Sequence, residues 1–256
     1  MLTREDIHQF LRHIGVCADS TVLVHTSMRS LGPVEGGCDG LIDSFTSYLT
    51  DGLFLVPTHT WANVNRSNPL YDVKTTVPCI GALPTVAAFR KDGIRSLHPT
   101  HSVAAFGKKA KEFVVGEETS QTPCPKGGVW ARLCAENTVI LLLGVGLNRN
   151  TYIHAVDEIL DLPDRLGVPY TVTVVDYDGK RMEHSFRSHH NAGSEYFENY
   201  RKPLEYFGAL RQVPLGNASV GVCDPQKTAK MLRLLWERAE YNLCEDFREI
   251  PENYYK

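Results

Sequence analysis

Ile7, Phe10, Leu11 and Ile14 recur at i, i+3, i+4 and i+7 behind Thr3 and Asp6. That stripe with its capping pair predicts a helix, which Gly15 ends. Residues 21–24 form a short apolar run and read as a buried strand. A glycine-rich turn around Gly32, Gly36 and Gly37 follows, then a helix over about 39–49. A second strand, 53–56, runs into Pro57-Thr58-His59-Thr60. Residues 61–79 show no period and carry Asn, Pro and Asp, which predicts a long loop of the kind that usually serves function. A helix near 83–91, a strand at 102–106 and a helix near 108–115 come next. Residues 139–143 make the most apolar strand of the chain, which ends at Gly144-Val145-Gly146 and feeds a helix beginning near Thr151. Residues 170–175 and 181–186 flank Asp178-Gly179, a strong hairpin signal. Phe197, Tyr200, Leu204 and Phe207 mark another helix, 219–222 a last strand, and Asp224-Pro225 the cap and first turn of a final helix. Strands alternating with helices, plus one hairpin, predict a layered α/β domain with an antiparallel addition.

Composition narrows the classes. The chain has 256 residues, and its formal net charge of −3 gives no concentrated basic face for nucleic acid. Its length suits one large α/β domain or two small ones. Seven cysteines stand at irregular spacing with no C-x-x-C pair, against a disulfide framework or a zinc ribbon and in favour of reduced thiols. Leu2-Thr3-Arg4-Glu5-Asp6 is too charged for the apolar part of a signal peptide, and no stretch approaches the roughly 18–20 apolar residues of a membrane span. The expectation is a cytoplasmic protein without membrane or nucleic-acid partners.

Three segments carry candidate chemistry. On the helix after Thr151, Asp157, Glu158 and Asp161 lie at i+3, i+4 and i+7 from His154, which puts an imidazole and three carboxylates along one side. A carboxylate one turn from a histidine raises its basicity and fixes its tautomer, as a general base requires. A row of carboxylates also suits a polycation. In His25-Thr26-Ser27-Met28-Arg29-Ser30-Leu31-Gly32 a strand runs into hydroxyls, an arginine and glycine, a setting for phosphate. In Arg95-Ser96-Leu97-His98-Pro99-Thr100-His101-Ser102-Val103, Arg95 would meet a phosphate, and Ser102 and Val103 would pair edge-on with an extended ligand arm. Taken singly, the last two read as ordinary turns and loops.

In combination and order these segments resemble the aminoglycoside 3-N-acetyltransferase family. Its patterns are matched by His25-Thr26-Ser27-Met28 with Gly36-Gly37, by Pro57-Thr58-His59-Thr60, and by His98-Pro99 with 102–107. The Leu-Gly-Val-Gly, Thr and His-x-x-Glu-Glu pattern is matched by 143–146, Thr151 and His154-Ala155-Val156-Asp157-Glu158. The resemblance spans about residues 20–240. It implies a three-layer α/β/α sandwich with a mixed central sheet and an added hairpin, in one domain over 1–256. It implies acetyl-coenzyme A held by 25–32, Arg95, Ser102 and Val103. It also implies a cationic amine, the 3-amino group of an aminoglycoside, in an acidic groove built from Asp157, Glu158 and Asp161, with His189 beside them.

His154 would be the general base in a ternary complex, with Thr58 or Thr60 supporting the oxyanion. No metal is expected, and both monomer and homodimer stay open. Asp157 stands where the family has glutamate. The family's Glu-x-Asp element after the hairpin corresponds here to Arg187-Ser188-His189-His190-Asn191. Three other readings compete: a hydrolase using Ser27 or Thr58 as nucleophile, a metal enzyme using His98, His101, His189 and His190, and a non-catalytic coenzyme A or nucleotide-binding module. The first lacks a Gly-x-Ser-x-Gly elbow.

Overall fold

The computed structural model describes residues 1–191 and 193–256. Its strands are β1 (Thr21–Thr26), β2 (Leu53–Pro57), β3 (Leu70–Asp72), β4 (Ile94–Arg95), β5 (Val103–Phe106), β6 (Thr138–Leu143), β7 (Tyr170–Val175), β8 (Arg181–Phe186), β9 (Leu210–Leu215) and β10 (Ala218–Cys223). Its α-helices are α1 (Arg4–His13), α2 (Met28–Leu31), α3 (Gly37–Tyr48), α4 (Ala82–Phe89), α5 (Ala110–Val114), α6 (Val129–Arg132), α7 (Tyr152–Ile159), α8 (Arg201–Tyr206) and α9 (Pro225–Arg238). The central sheet has the order β4-β5-β2-β1-β6-β10-β9. β1 runs parallel to both β2 and β6, while β5 and β10 pair antiparallel on either side.

Strand alternation sends side chains to two faces, and each face is roofed by helices. Leu23, Leu55, Ile140 and Leu142 pack beneath α6, α7 and α9. Val22, Val24, Phe54 and Leu141 pack beneath α1, α3 and α4. The result is the three-layer α/β/α sandwich with a mixed central sheet. The hairpin forms as the Asp178-Gly179 signal predicts, with β7 and β8 antiparallel, but it belongs to a separate three-stranded sheet. Its third strand, β3, lies inside the segment expected to be a loop and pairs parallel with β7. Val64, Tyr71, Val172, Val174 and Phe186 give this sheet its own apolar core. The hydroxyl of Tyr177, in the hairpin turn, accepts from Arg95 N–H at 2.8 Å and donates to Arg95 C=O at 3.0 Å, tying the turn to the edge of the main sheet.

Two further elements differ from expectation. The helix expected across 197–207 is a 3₁₀ stretch, Ser194–Tyr200, that passes into α8. The helix after Thr151 stops at Ile159, and Asp161 takes a left-handed backbone at φ 52°.

Glu117 is fully buried in the connection before α6. It accepts from Val129 N–H at 3.0 Å through one oxygen and leaves the other without a partner. Burial pushes its carboxyl up to about 7, against an ordinary 4.5. A folded-state value above the unfolded one means that stability is lost as pH rises from about 4.5 through 7. Glu117→Gln keeps the acceptor and removes the charge. Denaturant unfolding should show the variant near wild type at pH 4.5, and more stable by about 3 kcal/mol above pH 7.5.

Candidate active site

β1, β2 and β6 end together, and the chain leaves β1 toward β2 on one side and reaches β6 on the other. Ligand crevices of open α/β sheets form at such a point, outside the carboxyl ends of the strands. A cleft of about 1100 Å³ lies there, lined by His25 to Arg29, His59, Trp61, residues 79–84, Thr100, His101, residues 148–151, His154, His189, Glu195 and Phe197 among others. Two glycines let the segments beside it pack closely. Gly144, at φ +69°, carries the chain off β6 where an added Cβ would meet Ser30 Cβ at 2.6 Å. Gly32, at φ +90°, ends α2 where a Cβ would meet Asn217 Nδ2 at 2.7 Å.

Five histidines line the cleft, and their rings form a continuous array. His25 stacks on Trp130 at 6.0 Å between centroids, Trp130 lies 5.3 Å from His59, and His59 lies 4.5 Å from His101. His101 is 5.2 Å from His189, His189 is 4.3 Å from His154, and His154 is 4.8 Å from Phe197. Burial depresses every one of these imidazoles. His25 and His189 fall to about 3, and His59, His101 and His154 lie well below the usual 6.5. Repulsion among neighbouring imidazoles adds to the effect at His59, His101 and His154. The array is neutral at physiological pH and presents lone pairs.

Their hydrogen bonds set them apart. His59 Nε2 shares a hydrogen bond with Thr151 Oγ1 at 2.9 Å, and His101 Nδ1 with Thr100 Oγ1 at 2.9 Å. His25 Nε2 and His59 Nδ1 are sealed without partners. His189 Nε2 lies 3.2 Å from Glu158 Oε1, which also accepts from Cys124 N–H at 2.8 Å. With an acceptor opposite, His189 carries its proton on Nε2. Among the described residues, His154 alone of the five has both nitrogens open to the cleft and free of protein partners. Its orientation comes from packing between His189 and Phe197.

Sequence reasoning expected a carboxylate one turn along the helix to polarise His154, and neither Asp157 nor Glu158 bonds it. Asp157 is buried, 3.6 Å from Arg165 Nε, with neither oxygen hydrogen-bonded. Burial pushes its carboxyl up to about 7. The orienting carboxylate is Glu158, and it acts on His189. Asp161 lies beyond the end of α7 and pairs with Lys126 at 2.6 Å in a neighbouring cleft of about 710 Å³. Glu158 lines that second cleft beside Asp164, Lys126, Arg165 and Arg187, so its acids are matched by bases. The expected acidic groove is therefore not assembled. The main cleft has Glu195 as its one lining carboxylate among the described residues, against Arg29 and Arg149.

The other expected residues divide cleanly. His25, Thr26, Ser27, Met28 and Arg29 line the cleft, whereas Ser30, Leu31 and Gly32 lie outside it. Ser27 Oγ caps α2, accepting from Ser30 N–H at 3.2 Å and lying 2.9 Å from Ser30 Oγ, so no histidine among the described residues stands against it as the hydrolase reading would need. Arg95 is 2% exposed, and each of its three side-chain nitrogens already donates within the protein. Its Nε–H donates to Thr58 Oγ1 and Ser102 Oγ, its Nη1–H to Thr76 C=O, and its Nη2–H to Thr58 C=O. Phosphate cannot reach it. Ser102 and Val103 offer no free edge, because β5 is paired on both sides.

Thr58 and Thr60 are buried away from the cleft. The Thr58 hydroxyl lies 2.8 Å from Ser102 Oγ, and the Thr60 hydroxyl donates to Pro99 C=O. Neither supports an oxyanion. The histidines weighed as a metal set do not gather either. His98 uses both nitrogens, on Thr122 C=O and on the N–H groups of Thr100 and His101, and His190 is exposed. Sequence reasoning missed His59 and Arg149 as cleft residues. His59 sat inside a motif at a strand end, whereas Arg149 had no signal at all.

A carboxyl-end cleft with neutral imidazoles at its floor and unpaired arginines at its rim has the layout of a group-transfer enzyme with an anionic donor. Residues 23–236 match the family described as aminoglycoside 3-N-acetyltransferase, and the chain belongs to that family. It is 26% identical over 197 residues to aminoglycoside N(3)-acetyltransferase III of Serratia marcescens, covering 70% of this chain and 73% of that one. The crystal structure of aminoglycoside acetyltransferase AAC(3)-IVa, apoenzyme, superposes with TM-score 0.74 at 26% identity, covering 92% of this chain and 89% of that one. AAC-IIIb, binary with CoASH, shares the fold at TM-score 0.79 and 19% identity, over 94% and 99% of the chains. No helix among the described residues is long and apolar enough to cross a membrane.

Arg95 is thus a strut rather than a ligand. Arg95→Ala strands Thr58, Ser102 and Thr76 oxygens in the interior and opens a cavity, and should cost at least about 3 kcal/mol in denaturant unfolding. Coenzyme A affinity of the folded fraction, read by calorimetry, should stay within about twofold. A tenfold loss of affinity would return Arg95 to the cofactor site.

Proposed function

We propose that this protein transfers the acetyl group of acetyl-coenzyme A to an amine of an aminoglycoside, with His154 as general base in a ternary complex. The observation that carries the reading is His154 itself, the cleft imidazole with both nitrogens open. Family membership supports it, and so does coenzyme A bound to a protein of the same fold. Arg29 and Arg149, exposed and without ion-pair partners among the described residues, suit the anionic groups of the donor. The amine nitrogen attacks the thioester carbonyl, His154 takes the proton that nitrogen gives up, and the thiolate leaves to be protonated as coenzyme A. His189, held by Glu158, keeps the His154 ring in place and cannot itself rotate away.

One observation favours a second reading, an acetyltransferase of the same fold acting on a less cationic amine. Glu195 alone is a thin receptor for a polycation, and Arg29 and Arg149 repel one. A free-thiol assay with acetyl-coenzyme A separates the two. Aminoglycosides should release thiol in proportion to amine consumed; release with monoamines or zwitterionic amines alone selects the second reading. Release without any amine would point instead to hydrolysis.

General-base assistance contributes about 10²- to 10⁴-fold, so His154→Ala should lower kcat by that order while coenzyme A binding persists. Unchanged turnover removes His154 from the mechanism. Because its pKa is held well below 6.5, His154 is already neutral across the physiological range. Its loss of function by protonation therefore falls at acid pH. At saturating substrates, kcat should hold level from pH 8 to 6, and a fall with its midpoint near the ordinary imidazole value of about 6.5 would contradict the assignment.

A further inference from the structure

We propose that Cys124, Glu158 and His189 form a binding site for one thiophilic divalent cation of the Zn²⁺ class, set in the partition between the two clefts. The thiol sulfur, a carboxylate oxygen and a ring nitrogen all lie within 4.8 Å of one another. His189 Nε2 and Glu158 Oε1 are 3.2 Å apart. That separation matches the edge of a tetrahedron with metal–ligand bonds of about 2.0 Å, roughly 3.3 Å. Cys124 N–H donates to Glu158 Oε1 at 2.8 Å, so the residue that brings the thiol also orients the carboxylate, the outer hydrogen bond that ligating carboxylates require.

Three donors from three separate elements meet here: the connection before α6, helix α7 and the segment after β8. A mixed sulfur, nitrogen and oxygen set of three suits zinc with a fourth position left open. His189 and Glu158 line opposite clefts, which gives a cation two routes of entry.

Loading balances simply. The Cys124 thiol gives up one proton to solvent and binds as thiolate. His189 moves its proton from Nε2 to Nδ1, which frees the Nε2 lone pair without a change of charge. Glu158 exchanges the His189 N–H for the cation. On the acetyl-transfer reading, on which this consequence alone rests, a positive charge beside His154 opposes its protonation. Zn²⁺ should then inhibit turnover.

Cobalt(II) added to the intact protein tests the site. One equivalent should give a thiolate-to-cobalt charge-transfer band and the intense visible bands of a tetrahedral ion. Cys124→Ser should abolish the charge-transfer band, and His189→Ala should weaken binding by about 10- to 100-fold. No such band at stoichiometric cobalt, or a band that survives in folded Cys124→Ser, overturns the proposal. Should the buried Cys124→Ser variant fail to fold, His189→Ala decides, and unchanged cobalt affinity there overturns it as well. Protein that shows the band but acetylates no amine keeps the cation site and loses the acetyl-transfer reading. Protein that acetylates but shows no band does the reverse.

Discussion

β1 lies between β2 and β6 in parallel register, Thr21 to Thr26 against Thr138 to Leu143, and the remaining architecture hangs on that pairing. It brings three strand ends to one level, so that His25, Pro57 and Gly144 open on the same space. A slip of β1 by one residue would exchange its two faces, turning Leu23 toward α3 and Val24 toward α7. Helix α7 starts from the same level, because the chain leaves β6 through a left-handed glycine and a single 3₁₀ turn, Leu147–Arg149. His154 is thereby delivered to the cleft one turn into α7 while Ile153 and Val156 bury against the sheet.

Burial then governs the chemistry of the floor. An imidazole enclosed by aromatic rings and other imidazoles loses more by giving up hydration than a distant charge returns, so the array stays neutral. A neutral array is a poor receptor for a second anion and a good acceptor for an amine N–H. Charge is left to the rim, where Arg29 and Arg149 remain hydrated and cheap to expose. On the proposed reading, the anionic donor is met at the rim and the proton is handled at the floor. Asp157 and Arg165 belong to neither. Their mutual burial behind α7, with Arg165 over the Trp236 ring at 5.3 Å, is a structural pair.

Much of the fold was legible because it is written in local period and punctuation. The hairpin shows in alternation around Asp178-Gly179, and the final helix in Asp224-Pro225. What escaped is short or compensated by pairing. β3 and β4 have three and two residues, too few for a period. β9 contains Pro214, which argues against a strand in sequence and is tolerated because β9 is the sheet edge. The site was half legible. Strand-end motifs located His25 and His154, since position at the end of a strand is a local fact. Spacing along α7 misled, because a helical wheel carries no information on where the helix stops or which flank the sheet covers. Arg95 misled for a related reason: an arginine's exposure depends on partners 7 to 37 residues away, here Ser102, Thr76 and Thr58.

His189 and the position of Glu158 explain each other. A carboxylate contributed by the segment after β8 would stand against Glu158 across the partition, two like charges in a buried place. With His189 there instead, the same contact is a hydrogen bond between a donor and an acceptor, and Glu158 needs no counter-ion. The acid that would have faced a polycation is spent on orienting an imidazole. The lack of an acidic groove among the described residues and the gathering of Cys124, Glu158 and His189 thus turn on one contact, that of Glu158 with His189.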